Sequence, residues 1–163
     1  MNAATIQGVD ARGYMAGWLN ALTGMYIADI NAIPEEKLTV SPGGVARAVN
    51  VISAETVDLM NWTTETLKGN SPVANHDSSE LAASLTTHAA IASALQAATA
   101  DLGQAITGAS DETLNSMIET PFGMTMPMFM VIQIAVNHIW YHDGQLNYFQ
   151  ALDGDGEIHW KMN

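Results

Sequence analysis

The fold class this sequence predicts is all-α, a four-helix bundle, and three observations predict it. Apolar residues recur at three-and-four spacing through long segments. No stretch alternates apolar and polar residues for long enough to rival them as a strand. Proline and glycine punctuation cuts the helical pattern into four long pieces, which in a chain of 163 residues make one bundle domain over residues 1–163.

The first helix spans roughly Asp10 to Ile33, with Tyr14, Trp18, Ala21, Leu22, Met25 and Ile30 at helical spacing. Gly13, Gly17 and Gly24 lower its intrinsic propensity, so packing must carry it. "IPEEKLTVSPGG" then breaks the chain with Pro34, Pro42 and two glycines. A second helix runs from about Val45 to Lys68, its buried stripe drawn from Val45, Val49, Ile52, Val57, Leu59 and Met60. "GNSPVANHD" ends it.

The third helix opens at Asp77, a cap residue, with Glu80 three positions on as in a capping box. It continues through an alanine-rich stretch to Ile106, where small side chains permit close helix approach. The following connection is long and carries a short helical turn near Glu112 to Met117. The last helix begins near Pro127, since proline at a first helical position costs no hydrogen bond, and ends at about Leu152. "DGDGEIHWKMN" is a tail. The second and third connections are long enough for a topology other than simple up-and-down.

Composition limits function. Hydrophobic residues make up 48% and charged residues 13%, which argues against disorder. The net charge of −12, from 17 acidic and 5 basic residues, repels a phosphate backbone, so no nucleic-acid partner is expected and no anionic membrane surface either. The absence of cysteine excludes disulfides and thiolate chemistry on the chain, and suits a reducing cytosol. The start lacks the pattern of a secretory signal, and "MPMFMVIQIAV" is too short to span a bilayer. A cytoplasmic location is expected, and the broad apolar content permits homodimerisation.

In "HIWYHDGQ", His138 and His142 stand four apart with Gln145 three further on. Ile134, His138, His142, Gln145 and Phe149 fall along one helical stripe, and its apolar ends turn it inward. Two imidazoles so placed can present two nitrogens to one metal ion, or can each be satisfied by a carboxylate or carbonyl of a neighbouring helix. A bare pair lacks a third ligand. Glu55, in "VISAETVDLM", is one helical turn from Val51 and Leu59 and shares their buried side. A carboxylate aimed into a core is costly unless paired or bound to a cation. Glu55, His138 and His142 together would make a facial site with open positions. Otherwise Glu55 bonds one of the imidazoles or turns to solvent. Asp58 is its local competitor, on a more polar side of the helix.

The C-terminal stretch "HIWYHDGQLNYFQALDGD" resembles the signature of the DinB-like superfamily at His138, His142, Gly144, Gln145, Leu146 and Tyr148. The remainder resembles that family in layout, with "IPEEKL" as the turn after the first helix. The resemblance implies a four-helix bundle holding a divalent metal ion through two last-helix histidines and a third histidine on the second helix. Here Glu55 stands where that third histidine would be; with the register one turn earlier, Val51 would stand there and the site would be broken. A carboxylate in the set adds negative charge, favours Mn or Fe as much as Zn or Ni, and raises the pKa of a bound water. Relatives include thiol-dependent transferases and isomerases, so the resemblance implies a metal-dependent transferase or hydrolase acting on a small-molecule substrate. Gln145 would bond a ligand water or orient an imidazole, or else bond the backbone of a neighbouring helix. The rival reading is a non-catalytic bundle, a small-molecule binder or dimerisation module, whose site has decayed to a Glu–His network.

Other features carry less. His88 is a core or surface histidine and a reserve ligand, while His76 and His159 lie in loop and tail, where exposure is the default. Met124, Met126, Met128 and Met130 suit flexible gap-filling around a pocket mouth. Trp18, Trp62, Trp140 and Tyr141 read as core or interface aromatics.

Overall fold

The computed structural model describes residues 10–70, 77–120 and 122–160. Four long helices carry the fold: α1 (Ala11–Ala32), α2 (Val49–Leu67), α4 (His88–Gly108) and α6 (Met128–Leu152). Two short helices, α3 (Ser79–Ser84) and α5 (Asp111–Asn115), lie in the connections, with a two-stranded hairpin of β1 (Met117–Glu119) and β2 (Thr125–Pro127). The strands are antiparallel, Ile118 opposite Met126.

Each of α1 and α2 packs on both α4 and α6. Around the bundle the order is therefore α1, α4, α2, α6, and the chain is not simply up-and-down. The first and third long connections cross the diagonal, whereas the second joins neighbours. The expectation of a non-simple topology holds for the third connection, but its partner is the first. The axis is filled by fully buried Leu19, Tyr26, Ile52, Met60, Leu95 and Ile139. None of the described helices is long and apolar enough to cross a membrane.

The first helix starts and stops as the sequence predicts. Asp10 caps it, its carboxylate accepting from the Gly13 amide at 3.0 Å. A side chain at Gly13 would collide with that carboxylate. The second helix begins later than predicted. Gly43 (φ 128°) and Gly44 (φ 59°) turn the chain through left-handed backbone, and Ser41 Oγ donates to the Ala46 carbonyl at 2.7 Å. The turn keeps residues 45–47 outside the helix, so Val45 is fully exposed rather than part of the buried stripe.

The predicted third helix is two. After α3 the chain breaks at Leu85, and Thr87, in extended conformation, accepts from the Ala90 amide at 3.1 Å to start α4. The capping box at Asp77 and Glu80 does not form: Ser78 holds the cap position, and Asp77 instead accepts from the Ser79 amide at 3.0 Å. The predicted helical turn at Glu112 is α5, capped by Ser110. It ends at Asn115, and Met117 begins the hairpin that the sequence did not predict. Pro127 closes β2 as the residue just before α6.

Candidate functional site

Helix α6 stacks His138 and His142 one turn apart, their rings edge-on at 4.4 Å between centroids. His142 is fully buried and His138 partly so. His142 Nδ1 donates to Gln145 Oε1 at 2.8 Å, which leaves Nε2 with the lone pair. That nitrogen faces His138 Nε2 at 3.2 Å. The Nδ1 atom of His138 is buried without a hydrogen-bond partner among the described residues. Exposed Tyr141 lies against both imidazoles, at 6.4 Å from His138 and 5.0 Å from His142.

From α2, Glu55 brings Oε2 to 3.7 Å from His142 Nε2. Its helical phase is the inward one expected. The carboxylate is not idle, however: Arg47, in the turn before α2, sets Nη1 on both of its oxygens. Beside this cluster is a pocket of about 220 Å³ lined by Glu55, Asp58, Leu59, Ser78, Phe122 and His138. Asp58, read as turned to a more polar side, thus lines the same cavity as Glu55.

The electrostatics keep both imidazoles neutral. Burial pushes His138 down to about 4, helped by His142 and Arg47 and opposed by the Glu55 charge. Burial also lowers His142, with the Gln145 bond opposing. Neutral rings retain a nitrogen lone pair, the form in which histidine binds a cation.

The donor types fit a divalent ion. Ligands about 2.1 Å from an ion at tetrahedral angles stand about 3.4 Å apart. The 3.2 Å and 3.7 Å separations centred on His142 Nε2 bracket that spacing. Among the described residues, no three His, Asp or Glu side chains converge as a ready metal-holding group. The structure brings the two histidines together and sets Glu55 against one of them, engaged by Arg47.

The remaining candidates sort clearly. His88 ties the start of α4 to the end of α1: its Nε2 meets the Ile33 carbonyl at 2.8 Å, its Nδ1 the Glu35 carboxylate at 3.3 Å. It therefore serves packing rather than the Glu55 cluster. His159 is half-buried on Asp155 at 2.8 Å rather than exposed, and His76 lies outside the described residues. Met126 and Met128 are buried while Met124 and Met130 are exposed. Of the aromatics, Trp62 is buried, but Trp140 and Tyr141 are largely exposed, with Trp140 against Trp18 at 5.8 Å.

Two features escaped the sequence reading. One is Arg47. The other is a buried polar layer below the histidines, where Asp29 of α1 and Asp143 of α6 are hydrogen-bonded carboxyls. Burial, and then the charge of Asp29, push Asp143 up to about 7. Asn147 Nδ2 donates to Asp29 Oδ2 and Gln150 Nε2 to the Asp29 carbonyl, each at 2.8 Å. Tyr26 and Ser53 meet at 3.1 Å across the axis, and burial raises the tyrosine's pKa. Asp29 in "MYIADI" carried the same signal used for Glu55, an acid within an apolar helical run.

No curated protein matches the sequence. The crystal structure of the mycothiol-dependent maleylpyruvate isomerase resembles this one with a TM-score of 0.61 at 16% sequence identity, over 83% of this chain and 60% of that chain. This chain thus spans 60% of that enzyme's length, and the likeness at that identity is one of fold. The sequence profile of the DinB family matches residues 17–154, a stretch that holds Glu55, both paired histidines and Gln145. The chain therefore belongs to the DinB family.

Proposed function

We propose that this protein binds a divalent metal ion through His138, His142 and Glu55, and uses it in a thiol- or water-dependent transfer or hydrolysis on a small molecule. One observation carries the reading. His142 Nε2, stripped of its proton by the Gln145 bond, stands 3.2 Å from His138 Nε2 and 3.7 Å from Glu55 Oε2. Such an ion supplies a lowered pKa to a bound thiol or water.

The chain's own residues do the rest. Gln145 holds the His142 tautomer, and burial keeps both rings unprotonated at neutral pH. Glu55 contributes the negative charge that two neutral rings lack, once it exchanges Arg47 for the ion. The adjoining pocket, with Leu59 and Phe122 in its wall, has room for a small substrate beside His138. The thiol dependence of the structurally similar isomerase supports a thiol as one nucleophile.

Elemental analysis of untagged protein tests this. Near-stoichiometric metal that disappears in both His142→Ala and Glu55→Ala, each with a wild-type circular dichroism spectrum, is the expected result. Protein that holds no metal and cannot be loaded favours the second reading, a non-catalytic bundle. The observation on that side is the Arg47 pair, which already satisfies the Glu55 charge without any ion.

A further inference from the structure

We infer that the cavity beside Arg47 is a binding site for a small molecule with a single carboxylate on an apolar body, and that Arg47 anchors the carboxylate. The site goes beyond the metal reading and does not depend on it. The cavity, about 330 Å³, is lined by Val45, Arg47, Gly144, Gln145, Tyr148 and Phe149, with Ala46 beside them, and Arg47 is the one charged residue in that lining. In two other cavities a basic residue is accompanied by acids: Lys68 by Glu112 and Glu119, Lys37 by Asp153.

Arg47 commits a single nitrogen, Nη1, to Glu55. Its Nε and Nη2 have no hydrogen-bond partner among the described residues, and its side chain is 43% exposed. A guanidinium offers five N–H donors in a plane, so an edge remains for a second carboxylate. Around that edge Val45 is fully exposed and Tyr148 is 64% exposed, apolar surface that a bound body would cover. On the other side, the Gly144 position faces open space, since a side-chain carbon there would meet nothing within 4 Å. The net charge of −12 penalises a dianion more than a monoanion, which selects a monocarboxylate over a phosphate.

Because Glu55 and the ligand would set two negative carboxylates on one guanidinium, they are coupled through charge repulsion. Removing the Glu55 charge must strengthen ligand binding, an outcome that nonspecific adsorption to an apolar surface does not give.

The test uses the full chain treated with EDTA, titrated by calorimetry with phenylacetate and with its neutral analogue phenylacetamide. Phenylacetate is expected to bind about tenfold or more tighter than the amide, as charge-assisted bonds to Arg47 require. Arg47→Gln abolishes that preference, Glu55→Gln tightens phenylacetate severalfold, and Gly144→Leu blocks both ligands without lowering Tm. Equal binding of the two ligands overturns the proposal, as does a preference that survives in Arg47→Gln. Absence of binding to both the wild type and Glu55→Gln overturns it too. Inorganic phosphate binding as tightly as phenylacetate overturns the monocarboxylate assignment. Since no metal is present, these outcomes leave the metal reading untouched, and its failure leaves them untouched.

Discussion

Gln145 Oε1 accepts from His142 Nδ1 at 2.8 Å, and by doing so it settles which nitrogen of the buried ring carries the proton. Without that acceptor the ring is free to place its proton on Nε2, where it would face His138 and Glu55 as a donor instead of a ligand.

On the proposed metal reading, Gln145→Leu is therefore expected to weaken metal affinity by about 10–100-fold, the usual effect of losing a partner that orients a metal-binding histidine. Gln145→Glu, which keeps an acceptor oxygen, should restore most of it. Competition against a chromophoric chelator measures both. An unchanged affinity in Gln145→Leu would refute the tautomer argument.

On the proposed metal reading, Arg47→Ala is expected to tighten metal binding, because the guanidinium occupies both oxygens of the carboxylate proposed as a ligand. The pair is partly exposed, so the gain is modest, a few-fold, in line with the ~0.2–1 kcal/mol of such ion pairs. The same chelator titration reads it. A looser metal in Arg47→Ala would mean that the arginine supports the site rather than competing for it.

How far the sequence could see is clear from these residues. Helical periodicity located α1 and α6 almost to the residue, and the phase of Glu55 gave the side of α2 it faces, because both facts lie within one regular element; its approach to His142 depends on how α2 packs against α6. Arg47 reaches Glu55 across a glycine turn, and no periodicity encodes where a turn sends the next side chain. The break at Leu85 was masked by alanines that keep a helical pattern on both sides of it. Three-residue strands are too short to alternate visibly. Asp29 was legible by the reasoning applied to Glu55, but its partner Asp143 sits in the shadow of the histidine beside it.

The start of α2 can be checked by stability. Val45 is fully exposed, whereas Val49 is buried, only 2% exposed. Val45→Ser should leave the unfolding free energy within about 0.5 kcal/mol of wild type. Val49→Ser, which strands a hydroxyl in the core and removes packing, should cost on the order of 2–3 kcal/mol. Chemical denaturation of the two variants decides. Equal losses would return Val45 to the buried stripe.

The buried titratable groups make opposite demands on pH in metal-free protein. His138 has its folded pKa lowered from 6.5 to about 4, so the unfolded chain binds its proton more readily. Its neutral burial is harmless above about 6.5, and stability is lost as pH falls towards about 4. His142 acts in the same direction. Asp143 is the reverse case, raised from 3.8 to about 7, so the folded state holds its proton more tightly. That contribution is complete below 3.8 and is lost as pH rises through about 7. Asp143→Asn isolates it, because the amide can donate to Asp29 as the protonated acid does but has nothing to ionise. Urea midpoints measured across pH should show the variant gaining on wild type from about pH 4 to about pH 7, then holding a constant lead. The acid-side loss from the histidines should persist in both proteins, and His138→Gln should shrink it. Parallel profiles for Asp143→Asn and wild type would mean that Asp143 is already ionised in the folded protein, so that the two carboxyls share no proton.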